Sequence, residues 1–125
     1  EEGIGYDSSL VPGRGALFLP GCASAPARPF RLAGGALWEF PPTVVRLPGI
    51  SFPAAGGAFL RALPRRCVMR ILERAHEKGE TPHVHVHAWE MRAARVAPGL
   101  RAILERFQGV AIDDLRARFG ERGAA

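Results

Sequence analysis

The sequence predicts an α/β domain with a parallel sheet, and three observations carry that prediction. After Pro64, the residues Cys67, Val68, Ile71, Leu72 and Ala75 fall on one helical face. His83-Val84-His85-Val86-His87 then alternates with the period of a strand. Leu100, Ile103, Leu104 and Phe107 repeat the helical pattern further on. With 125 residues, the chain has room for one domain or for part of a larger one.

Composition divides the chain into a loop-rich segment, 1–63, and a segment of alternating elements, 64–125. Of Gly 15 and Pro 11, most precede residue 65. Ile4–Tyr6 is a short apolar stretch that runs into Asp7-Ser8-Ser9, a turn or cap signal because short polar side chains bond nearby backbone. Residues 11–36 carry so many breakers that a long loop is expected. Leu37–Phe40 and Thr43–Leu47 read as strand pieces split by Pro41-Pro42. Phe52–Gly57 reads as a turn leading to Phe59, Leu60 and Arg61. A helix from Pro64 follows, with proline in the first turn and Gly79 as its C-cap. Pro82–Trp89 is expected as a strand and Pro98–Phe107 as a helix. Val110–Ile112 is expected as a short strand, and Asp113 or Asp114 as the cap of a last helix through Phe119.

Charge and composition exclude several classes. The formal net charge is +5, yet the basic residues are scattered, interleaved with acids, and include only one lysine, Lys78. A nucleic-acid surface would gather them on one stripe with aromatic residues between, so no nucleic-acid partner is expected. No window approaches ~18 consecutive apolar residues, which argues against a spanning helix. Glu1-Glu2-Gly3 offers neither a basic nor an apolar leader, so no signal peptide is expected at this start. Cys22 and Cys67 are too few for a disulfide framework, and a packed thiol is the expected state of Cys67.

The densest chemical signal is the histidine run. On a strand, His83, His85 and His87 share one face with Cα atoms about 6.6–7 Å apart. Imidazoles so placed could ligate a divalent metal such as zinc, or one of them could act as a general acid or base. The plainer reading leaves them packed beside neighbouring strands, each with one hydrogen bond. Val84 and Val86 point the other way, toward a core. Asp7, before two serines, reads more readily as a cap than as a catalytic carboxylate. Arg61 follows Gly56-Gly57, where absent side chains permit close approach of a ligand; a surface ion pair is the alternative.

Four segments in order bear a family resemblance. Gly5-Tyr6-Asp7-Ser8-Ser9-Leu10-Val11-Pro12 resembles the GYxYDSSxxP segment of polysaccharide deacetylases, the NodB-homology enzymes of carbohydrate esterase family four. Leu37-Trp38-Glu39-Phe40-Pro41 is similar to their GLWEFP strand. Residues 52–64 resemble the lPvaGGgyfRllP segment of the subgroup associated with exopolysaccharide loci, and His87-Ala88-Trp89-Glu90 resembles its HPWE.

The resemblance implies the C-terminal part of a distorted (β/α) barrel and metal-dependent hydrolysis of N-acetyl groups on a glycan. It makes His87 the acid toward the leaving amine and gives Asp7 a part in holding the active-site geometry. Arg61, Gly57 and Trp89 become candidate contacts to the glycan substrate, and a divalent metal, usually zinc, the cofactor of the complete enzyme. The family's metal-binding Asp-Asp and His-x-x-x-His motifs precede the YDSS segment, and neither precedes Asp7 in these 125 residues. Ala88 also stands where the family has proline. The expectation is therefore an inactive C-terminal part that binds no metal by itself. Half a barrel also leaves an open sheet edge, which predicts self-association. Two alternatives stand beside this one: a carbohydrate-binding or interaction module without hydrolysis, and an independent metal site made of His83, His85 and His87.

Overall fold

The computed structural model describes residues 3–15, 21–32, 34–35, 37–54 and 56–122. Its strands all lie in the first segment: β1 (Tyr6–Asp7), β2 (Val11–Pro12), β3 (Gly21–Cys22), β4 (Phe30–Arg31), β5 (Trp38–Glu39), β6 (Val44–Leu47) and β7 (Ile50–Pro53). The helices follow: α1 (Gly57–Ala62), α2 (Arg65–Glu77), α3 (Val96–Arg106) and α4 (Ile112–Arg122), with a 3₁₀ turn over Ala88–Arg92. The architecture is mixed α/β, with three small sheets among the described residues. β5 lies between β1, to which it is parallel, and β4, to which it is antiparallel. β2 pairs with β3 in parallel, and β6 and β7 form an antiparallel hairpin. Among the described residues no sheet closes into a barrel.

The helical layer has the clearest physical logic. Val68, Leu72 and Ala75 are spaced four and three residues apart, so they form one stripe of α2, and all three are buried. Val68 and Leu72 meet Leu60 of α1 and Val96 and Ile103 of α3 in the apolar core, with Met69, Val84, Val86 and Phe107 packed around it. α2 ends as the sequence predicts. Gly79 adopts φ +73, a left-handed conformation that costs glycine little. Gly79 N–H then reaches the His76 carbonyl at 2.9 Å, and Glu80 N–H reaches the Ala75 carbonyl at 3.0 Å. This is a Schellman closure of the helix.

A smaller aromatic cluster joins the sheet to the last helix. Phe40 meets Tyr6 edge-on at 6.1 Å, and Trp38 lies 5.9 Å from Phe119 of α4. Arg31 sits over the Trp38 ring at 5.1 Å.

Several expectations are corrected. Among the described residues, 82–87 join no ladder, and Gly56 with His85 is the one bridge there. The reason is local: the Thr43 hydroxyl accepts the His83 N–H at 2.7 Å and donates to the His83 carbonyl at 3.1 Å. One side chain does for that residue what a neighbouring strand would have done. Val110–Ile112 forms no strand, and Ile112 instead starts α4. The parallel sheet interleaved with helices is therefore absent among the described residues. Cys67 is exposed rather than packed, because the buried stripe of α2 runs through Val68 and Leu72. Leu104 likewise points outward at 58% exposure. The long loop expected over 11–36 contains β2, β3 and β4, although residues 16–20, 33 and 36 lie outside the described set.

Leu72 is fully buried in this core. Leu72→Ala is expected to cost about 2–5 kcal/mol in chemical denaturation. Leu104→Ala should stay within about 0.5 kcal/mol.

Candidate functional site

The sequence candidates separate into two clusters joined by the extended segment 83–87. The first surrounds the start of the chain. Asp7 Oδ1 accepts the Ser8 N–H at 2.8 Å and Oδ2 accepts the Ser9 hydroxyl at 2.7 Å. Asp7 thus closes its own turn from the end of β1 and caps no helix. The Ser8 hydroxyl donates to the Phe40 carbonyl at 2.7 Å. His83 Nδ1 lies 3.1 Å from the same carbonyl and 3.3 Å from Ser8 Oγ. A carbonyl only accepts, so this contact assigns the Nδ1 position of the neutral ring as N–H and leaves Nε2 as its lone-pair nitrogen. Burial pushes the His83 imidazole below its ordinary pKa, partly offset by the Phe40 carbonyl, which favours the charged form.

Glu39 belongs to the same cluster and was not singled out by its sequence. It is fully buried. Its Oε1 accepts the Leu10 N–H at 3.0 Å, while Oε2 has no partner among the described residues. Desolvation raises its pKa, and the Asp7 carboxylate, its register partner across β1 and β5, adds to the rise. The available signal was a carboxylate inside the apolar run Leu37–Phe40.

The second cluster gathers residues that are distant in sequence. Gly57 N–H donates to the His85 carbonyl at 3.0 Å. The Glu90 carboxylate lies directly on Gly57, in space that any Cβ there would occupy. Glu90 Oε2 accepts the His87 N–H at 3.0 Å, and Oε1 is 3.8 Å from Arg61 Nη2. Glu90 is buried, whereas Arg61 is half-exposed. Arg61 therefore resolves as an ion-pair partner whose outer surface stays in water. The spacing from His87 to Glu90 is that of a residue reaching back to the start of a helical turn, a signal legible in the sequence.

Above this base the rings are stacked. His87 lies on Trp89 with centroids 4.0 Å apart and planes at 11°. His85 meets His87 edge-on, with Nε2 atoms 3.2 Å apart. Trp89 is 68% exposed and both histidines are exposed. The structure thus unites Gly57, Arg61, His85, His87 and Trp89. Asp7 and His83 belong to the other cluster, and among the described residues no hydrogen bond or ion pair connects Asp7 with His87. A cleft lies elsewhere, between α2, α3, α4 and residues 79–84, where His83 and Phe40 line it but Asp7, Arg61 and His87 do not.

Residues 8–121 match the profile of a domain of unknown function, DUF3473. The chain belongs to the DUF3473 family. No curated protein and no solved structure matches it. The DUF3473 span takes in the whole second cluster and all of the first except Asp7. Within this DUF3473 domain no helix is long and apolar enough to cross a membrane, among the described residues.

Two outcomes follow from these contacts. Gly57→Ala would drive a methyl group into the Glu90 carboxylate and should destabilise the protein by about 1–3 kcal/mol; Ala58→Gly, at an exposed position of the same helix, serves as the comparison in urea titrations. His83 is depressed in the folded state, so the unfolded chain binds the extra proton. Its contribution is complete above about pH 6.5 and is lost as pH falls through the lower folded value. In thermal melts across this range, His83→Asn should flatten that acid-side loss while keeping an N–H for Phe40.

Proposed function

We propose that this chain is the C-terminal part of a metal-dependent polysaccharide N-deacetylase and supplies its proton donor, His87. The observation that carries the reading is the setting of His87. Its ring is exposed, its backbone is pinned by a buried carboxylate, and one ring face rests on Trp89. Cleavage of an acetamide requires a proton on the leaving nitrogen, and a positioned imidazole is the commonest group to deliver it. Family membership supports the reading, because the DUF3473 domain is associated with polysaccharide deacetylases.

The residues of this chain have distinct parts in it. His87 presents its ring, and Glu90 holds the His87 backbone through one hydrogen bond. Gly57 admits that carboxylate close to the α1 backbone, and Arg61 faces its other oxygen. Exposed Trp89 offers a flat apolar surface on which a pyranose ring of the glycan could stack. Asp7 shapes the Ser8-Ser9 turn of the other cluster and touches none of these residues. The metal implied by the resemblance does not fit these residues. Among those described, no three of His, Cys, Asp and Glu come together to hold an ion. The ligands of a catalytic metal therefore belong outside this set, and the step assigned here is proton delivery alone.

The test is to fuse the chain to a segment bearing the Asp-Asp and His-x-x-x-His motifs and to assay release of acetate from an N-acetylated glycan. The fusion should be active, and His87→Ala should lower kcat by about 10²-fold or more. Trp89→Ala should act mainly on KM. Full activity of the His87→Ala fusion would overturn the assignment.

A further inference from the structure

The meeting of His85 and His87 is not needed for proton delivery, which requires only one ring. Their Nε2 atoms are 3.2 Å apart and their planes stand at 81°. Two nitrogens bound to one tetrahedral zinc ion at about 2.0–2.1 Å are themselves about 3.3 Å apart. The imidazoles therefore already stand at the spacing of adjacent ligands. Their backbones are fixed as well: the His85 carbonyl accepts the Gly57 N–H, and the His87 N–H is held by Glu90. Trp89 limits rotation of the His87 ring from one side. Such preorganisation removes much of the ordering cost of binding.

We propose that His85 and His87 form a two-imidazole chelate for a borderline divalent transition cation of the zinc, nickel or copper kind, with water completing the coordination. Imidazole nitrogen suits these ions, whereas calcium and magnesium require oxygen ligands. On binding, the proton shared between the two Nε2 atoms moves to Nδ1 of its own ring, so both Nε2 lone pairs face the metal. His83 is not part of this pair: its ring belongs to the other cluster, against Ser8 and the Phe40 carbonyl. The proposal stands independently of the deacetylase reading. A bound cation occupies the His87 Nε2 position that proton delivery through that atom would use, so the two uses exclude one another.

The test is a titration of the isolated full chain with Ni²⁺, read by tryptophan fluorescence and by calorimetry. Trp89 lies against a proposed ligand, so its emission should be quenched saturably at one ion per chain, and Mg²⁺ should have no effect. His85→Asn and His87→Gln should each weaken binding by about tenfold or more, because each leaves a single imidazole. His76→Asn, beside Phe107 and outside the His85–His87 pair, should bind as the parent does. Trp89→Phe should remove most of the quenching while calorimetry still reports binding. Unchanged affinity in His85→Asn and His87→Gln, or equal affinity for Mg²⁺, would overturn the proposal. None of these readouts depends on deacetylation, so its failure and that of the enzyme reading are separable.

Discussion

The buried carboxylate of Glu90 is the constraint on which the rest of the candidate site depends. A charge withdrawn from water must find donors or a cation nearby. Glu90 finds the His87 N–H on one oxygen and Arg61 beside the other. It can reach that position only because residue 57 has no side chain. The glycine, the arginine and the histidine are thus parts of one arrangement that fastens the start of α1 to the 3₁₀ turn. The stacking of His85, His87 and Trp89 rests on that base.

The opposite end of the histidine segment is held by different chemistry. There, Ser8, Phe40, Thr43 and His83 share hydrogen bonds across three separate stretches of chain. Glu39 lies below them with one oxygen unmet among the described residues, a cost that its raised pKa reflects. Val84 and Val86 seal the intervening segment against the helical core. The result is an extended strap, apolar beneath and imidazole-bearing above.

The helices were legible because their signals are local. The α2 stripe and the Gly79 closure needed only periodicity and one glycine. The alternation of 83–87 was legible too, since the valines do face inward, but its status as a strand was not. A ladder depends on a partner elsewhere in the chain, and Thr43 took that place with its side chain. Arg61, His87 and Trp89 emerged from short motifs, and the His87–Glu90 bond is local, yet the tie of Arg61 to Glu90 crosses roughly thirty residues that no local pattern encodes. The turn at Asp7-Ser8-Ser9 was legible from its short polar side chains, while the placing of Asp7 in a different cluster from His87 depends on tertiary contacts.

The pair of hydrogen bonds between the Thr43 hydroxyl and the His83 main chain gives the strap an unusual hinge. Both main-chain groups of His83 hang on one hydroxyl, so rotation about a single side-chain torsion releases them together. Exchange of that amide with solvent would then report rotamer motion at Thr43, on a timescale separate from global opening of the core.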